Sequence, residues 1–127
     1  MAGDTGERIA ALTRGMLRKK LYVIVSKATA APDRITELLP DHLQYMIALE
    51  KRGLVFASGP LTEAGGAPRG DGMTVLRCAS ADEARAIAEA DPFFVNGLRT
   101  FVVREWTVME GSLALKVNFS DRSIEVA

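Results

Sequence analysis

The chain has 127 residues, 48% of them apolar and 25% charged, with Lys and Arg balancing Asp and Glu at 16 each. That length suits one domain burying about two thirds of the surface of its unfolded chain, and the composition is that of an ordinary globular protein. Zero net charge argues against a nucleic-acid binder, while one His and one Cys exclude an intramolecular disulfide and the usual zinc ligand sets.

Residues 1–18 read as a flexible extension ahead of a domain over 19–127. Ile9 to Leu12 can form one turn of helix, but Gly3, Gly6 and Gly15 interrupt anything longer. Met16, just before the first strand, competes with Met1 as the start. Asp4 and Glu7, with no hydrophobic stretch between them, do not suit a signal peptide, and the longest apolar run is far below the ~20 residues of a membrane span. A cytoplasmic location is the default expectation.

The first strand is Leu21 to Lys27, "LYVIVSK". The next stretch, "APDRITELLPDHLQYMIALEKRG", reads as helix, with Leu39, Leu43, Met46 and Ile47 on one face. Asp33 suits an N-cap after Pro32, and Gly53 suits the stop. Pro40 must either kink one helix or open a second. Strand two, Leu54 to Pro60, leads into "LTEAGGAPRGDG", which is long for a hairpin loop and reads either as a lid or contact surface or as an irregular tip. Strand three is Met73 to Cys78, and Ser80 with Glu83 forms a capping box for a helix whose apolar face is Ala84, Ile87 and Ala88. Cys78 itself reads as a small buried hydrophobe. After "DPFFVNG" come a long strand, Arg99 to Met109, and an alternating "SLALKVNFS" that reads as a half-buried antiparallel strand.

The order is β-α-β-β-α-β with an extra C-terminal strand, an α+β ferredoxin-like arrangement. Both helices then cover one face of a four-stranded sheet. Strand four is apolar on both sides, with Phe101, Val103 and Met109 on one and Val102, Trp106 and Val108 on the other. Because large exposed apolar patches are rare on monomers, a homodimer closed sheet against sheet is expected. An RNA-recognition reading fails on strand three, "GMTVLRC", which has no aromatic to stack a base. No cofactor, metal, nucleic-acid or membrane partner is expected.

His42, the one histidine, falls on the helical arc of Ile35, Leu38, Leu39, Leu43, Met46 and Leu49. It is either a core residue with a satisfied hydrogen bond or half of a reactive pair. Asp91, before Pro92, suits an N-cap for a short turn. It also ends the preceding helix, where its charge opposes the dipole and calls for a cationic or donor partner.

The stretches "LYVIV", "HLQYMIALEKRGLVFASGPL" and "ADEARAIAEADPFFVNGL" make the chain resemble the YciI-like (YCII-related domain) family over Lys20 to Val108. The resemblance implies a dimeric α+β barrel built from ferredoxin-like subunits. It also implies a His–Asp pair, mapping to His42 and Asp91, and cofactor-independent proton-transfer chemistry of lyase, isomerase or dehalogenase type on aromatic or ring-cleavage compounds. Some members carry an arginine three residues before the histidine, where this chain has Leu39. An anionic group on the ligand would then fall to Arg99 or Arg104, or be missing, and Ser58 either offers a hydroxyl to the cleft or stabilises the turn before Gly59 and Pro60. Two functions follow. In the first, His42 is general acid or base and Asp91 fixes its tautomer. In the second, the chain is a non-catalytic homodimer that binds a small molecule or a partner protein. An enzyme needs a concave site exposing a ring nitrogen of His42. If Pro40 opens a helical turn, His42 lies near unpaired backbone N–H groups, and Asp91 is expected within direct or one-water reach of the ring.

Overall fold

The computed structural model describes residues 2–127, which divide into two units: Lys20–Thr107, and the terminal segments up to Lys19 and from Val108 on. In chain order the elements are α1 (Ala2–Thr13), β1 (Lys19–Ala28), α2 (Pro32–Lys51), β2 (Val55–Pro60), β3 (Gly72–Leu76), α3 (Ala81–Glu89), α4 (Pro92–Val95), β4 (Arg99–Val108), β5 (Leu115–Val117) and β6 (Ile124–Val126).

The central unit carries a four-stranded sheet of order β2-β3-β1-β4. That is the split order expected of a ferredoxin-like chain. β3 runs antiparallel to both β1 and β2, placing Tyr22 opposite Leu76 and Ile24 opposite Thr74. Side chains alternate along a strand, so Tyr22 and Ile24 share one face. There they join Leu76, Ala84 and Ala88 in a buried cluster, with Phe101 and Val103 packed against it. Ala84 and Ala88 are small, which lets α3 lie close on the sheet. A second cluster of Ile35, Phe93 and Leu98 fastens α2 to the α4–β4 junction.

β2 contains a bulge: Val55 pairs with Leu76 and Ala57 with Val75, leaving Phe56 as the additional residue. A slip of one residue exchanges the faces of everything after it. Ser58 therefore pairs with Thr74 and shares the helix-facing side with it.

α2 differs from the expected start. Its N-cap position is Ala31, which makes no side-chain cap bond, and Pro32 opens the first turn. Proline suits that position because its missing N–H would have no helical partner there. Asp33 sits inside the first turn, where a carboxylate complements the helix dipole. Pro40 lies within one continuous helix. His42 is therefore mid-helix, away from the unpaired first-turn amides that a second helix would have supplied. Pro40 has no N–H, so the Thr36 carbonyl lacks its usual i+4 partner. Arg52 caps the C-terminus, and Gly53 follows at φ +79, in the left-handed region that ends many helices. At α3, Ser80 Oγ accepts from the Glu83 N–H at 3.1 Å, while the Glu83 carboxylate accepts from the Ala79 N–H at 3.0 Å. The capping box is thus displaced by one residue on its return arm.

In the terminal unit α1 runs 12 residues through Gly3 and Gly6, longer than the single turn expected. Each glycine disfavours a helix by about 1 kcal/mol without forbidding it. The C-terminal alternation becomes a two-stranded sheet, β5 against β6, rather than one half-buried strand. Leu115 is 59% exposed and Phe119 93%. Among the described residues no helix is long and apolar enough to cross a membrane.

Candidate functional site

Asp91 is placed by two adjoining elements. It follows α3 and caps α4, with Oδ1 accepting from the Phe93 N–H at 2.9 Å. Pro92 sets the backbone of that first turn. Arg99 opens β4 and donates from Nη2 to Asp91 Oδ2 at 2.9 Å. Its Nη1 donates to the Gly70 carbonyl at 3.4 Å. Gly72 lies beside this arm: a Cβ there would be in ordinary contact with Nη1 at 3.6 Å and would press on the Gly59 carbonyl at 3.3 Å. The two charged side chains are 6% and 10% exposed, so this is a buried ion pair. Burial pulls the Arg99 guanidinium down from its ordinary pKa, and the charge and hydrogen bond of Asp91 oppose that shift. An arginine starts so far above neutrality that it remains a cation.

α2 delivers His42 to the same carboxylate. Nδ1 lies 2.9 Å from Asp91 Oδ1 and 2.8 Å from Oδ2, with the His42 side chain 13% exposed. The imidazole stacks on Phe93 at 4.3 Å between centroids and 15° between planes. Arg99 also lies against the Phe93 ring, at 4.9 Å from its centroid. One turn along α2, Tyr45 donates to the Ile87 carbonyl at 2.6 Å and ties α2 to α3. Burial raises the Tyr45 phenol above its ordinary pKa, and the charge of Asp91 adds to the shift.

A carboxylate paired with Arg99 can only accept hydrogen bonds, so His42 Nδ1 carries the proton facing it. Nε2 then holds the lone pair. It makes no hydrogen bond to the described residues, and no buried side-chain polar atom among them lacks a partner. Nε2 is therefore not sealed in the core, and the His42 ring lines a cleft of about 680 Å³.

That cleft runs between α2 and the β2–β3 strands, with Pro68, Gly70 and Asp71 contributed by the loop before β3. Its α2 wall is Leu39, Leu43, Met46 and Ile47. Periodicity places these residues on the core-facing stripe, yet Leu43 is 48% and Ile47 53% exposed, while Ile35 and Leu49 are buried. The stripe is shared between core and cleft.

Of the residues singled out from sequence, His42, Asp91 and Arg99 come together in one network, and Ser58 lies in the same cleft. Arg104 is exposed on β4 and is not brought to the lining. Three further contributors were not named as site residues from sequence. Thr74 shares a 2.7 Å hydrogen bond with Ser58, Phe93 supplies the ring platform, and Asp71 pins the loop by accepting from the Ala28 N–H at 2.7 Å. Gly70, next to Asp71, adopts φ +104 beside Ile35.

The sequence profile of the YCII-related domain matches residues 20–107. The central structural unit covers the same span, Lys20–Thr107. Among solved structures the chain is similar to 5-chloro-2-hydroxyhydroquinone dehydrochlorinase from Burkholderia phenoliruptrix AC1100, in complex with 2,5-dihydroxybenzoquinone. The TM-score is 0.60 at 24% identity, over 68% of this chain and 93% of that one. Likeness at that identity shows a shared fold. A comparison with curated proteins finds no match. On the strength of a profile match over most of its length, the chain belongs to the YCII-related domain family.

Proposed function

We propose that this protein is a cofactor-independent enzyme in which His42 acts as general base and acid on a small aromatic or ring-cleavage compound. One observation carries the reading: Asp91 holds Nδ1 at 2.8 Å in a ring that lines the cleft, which leaves Nε2 as the nitrogen to face it. Nε2 takes a proton from a substrate O–H or C–H, its lone pair forming the new N–H bond. The electron pair left behind moves into the ring and expels a leaving group, or shifts a double bond. The imidazolium then returns its proton to another substrate atom or to water. Asp91 fixes the tautomer and faces the cation as it forms, and Arg99 holds Asp91 in place. Positioned proton transfer of this kind contributes roughly 10²–10⁴-fold to rate. The similar fold of a dehydrochlorinase acting on 5-chloro-2-hydroxyhydroquinone supports chemistry of lyase, isomerase or dehalogenase type. In a non-catalytic ligand-binding module an open Nε2 would serve only as a hydrogen-bond acceptor, and turnover that depends on His42 separates the two readings.

The reading includes a homodimer closed through the sheet face opposite the helices. Val25 pairs with Met73 on that face, and the two are 37% and 40% exposed. On β4, Val102 and Trp106 alternate with the core-packed Phe101 and Val103, and they are 59% and 41% exposed. An apolar strip of this kind asks for cover. Light scattering at micromolar concentration should return the dimer mass, and a monomer would refute this part. The cytoplasm is the proposed location, since a single cysteine suits a reducing compartment. The function is tested by screening hydroxylated and halogenated aromatic compounds for turnover, with His42→Ala as control. Turnover that survives in His42→Ala removes His42 from the reaction.

A further inference from the structure

The charge inventory of the cleft bears on what it accepts, an inference that rests on the cleft being the substrate site proposed above. Among its lining residues, only His42 and Arg99 can be cationic. Arg99 is committed, with Nη2 on Asp91 at 2.9 Å, Nη1 on the Gly70 carbonyl at 3.4 Å and its side chain 10% exposed. The charges of Asp91 and Arg99 cancel within that contact. The lining also holds two carboxylates, Glu50 and Asp71. Its other polar groups are the hydrogen-bonded hydroxyls of Ser58 and Thr74 and the residue Thr36, whose carbonyl lost its helical partner to Pro40. Acceptors thus outnumber donors around an apolar wall.

While the His42 ring is neutral, an anion entering this cleft would leave water and meet no uncommitted cation, which is unfavourable for a desolvated charge. A neutral ring would bury its faces against Leu39, Leu43 and Met46 and give its hydroxyl protons to the acceptors. We infer that the cleft selects an uncharged, hydroxylated ring and rejects carboxylates. Leu39 is the residue that sets this preference. It lies one helical turn before His42, lines the cleft and is 38% exposed, so a cation placed there would reach the same space.

Catechol and benzoate, rings of similar size that are neutral and anionic near neutral pH, are the probes. Each is titrated into the wild-type protein and into Leu39→Arg, and binding is read from the NMR signals of His42, the one histidine. Circular dichroism checks that the variant folds, which an exposed leucine should allow. Catechol should bind wild type at least about tenfold more tightly than benzoate, and Leu39→Arg should tighten benzoate by about tenfold or more. Equal or tighter benzoate binding by wild type would overturn the inference. So would the absence of saturable binding by either probe, or benzoate binding that ignores Leu39→Arg. Turnover is not read in this experiment. A protein that prefers catechol yet converts no ring compound would sink the catalytic proposal while the selectivity stands.

Discussion

Replacing Asp91 with Ala removes the acceptor for three groups at once: His42 Nδ1, Arg99 Nη2 and the Phe93 N–H. The largest loss is at Arg99, which is left buried without its counter-charge. Removing one partner of a buried ion pair destabilises a fold by about 3–5 kcal/mol. Losing the α4 cap adds about 1 kcal/mol, although the two overlap because one side chain provides both. A net loss of about 4 kcal/mol is expected on these figures. Urea denaturation followed by the fluorescence of Trp106, the one tryptophan, reads the change. Asp91→Asn should lose less, because its amide oxygen can still cap Phe93. The decisive comparison is the double variant Asp91→Ala/Arg99→Met. With no charge left unpaired, it should be at least about 1 kcal/mol more stable than the sum of the single changes implies. Strict additivity, or a loss below about 1 kcal/mol for Asp91→Ala, would refute the buried-pair reasoning.

Tyr45→Phe removes the 2.6 Å bond to the Ile87 carbonyl and should destabilise by about 0.5–1.5 kcal/mol at neutral pH. The Tyr45 pKa is raised on folding, so its contribution is full below the unfolded value of 10.0 and lost as pH rises through the folded one. Urea midpoints of wild type should therefore fall more steeply than those of the variant at alkaline pH, and parallel curves would contradict this. Gly70→Ala forces φ +104 on a residue with a Cβ and sets that atom 2.9 Å from Ile35 Cδ1 and 3.0 Å from Ala28 Cβ. A loss of about 1–3 kcal/mol is expected, with a lowered melting temperature. Gly59→Ala, which meets nothing within 4 Å, is the near-neutral control.

Local chemistry made much of the fold readable. β-branched runs marked β1 and β3, and Ser80 with Glu83 marked the start of α3. Periodicity located the apolar stripe of α2, but it reports which face is apolar and not what that face meets. Leu43 and Ile47 consequently read as part of one apolar face, with no sign that this face lines a cleft. The same limit applies to β5, whose alternation is real although its residues are exposed. Side-chain direction after the Phe56 bulge depends on pairing with β3, a non-local fact, so the face taken by Ser58 could not be read along β2. His42 and Asp91 lie 49 positions apart, and their contact was expected through family resemblance rather than spacing. Arg99, eight positions from Asp91, could be named as a cation near the site, but its commitment to that carboxylate follows from the turn through α4.

The tautomer of His42 tests the central claim most directly. With one histidine in the chain, a long-range ¹H–¹⁵N correlation spectrum contains a single imidazole, so assignment is immediate. At a pH where the ring is neutral, the account predicts a proton on Nδ1 and an unprotonated Nε2, with Nε2 the signal that moves when catechol is added. Asp91→Asn should shift that tautomer balance. A proton found on Nε2 in the wild-type protein, or a tautomer indifferent to Asp91→Asn, would contradict the account.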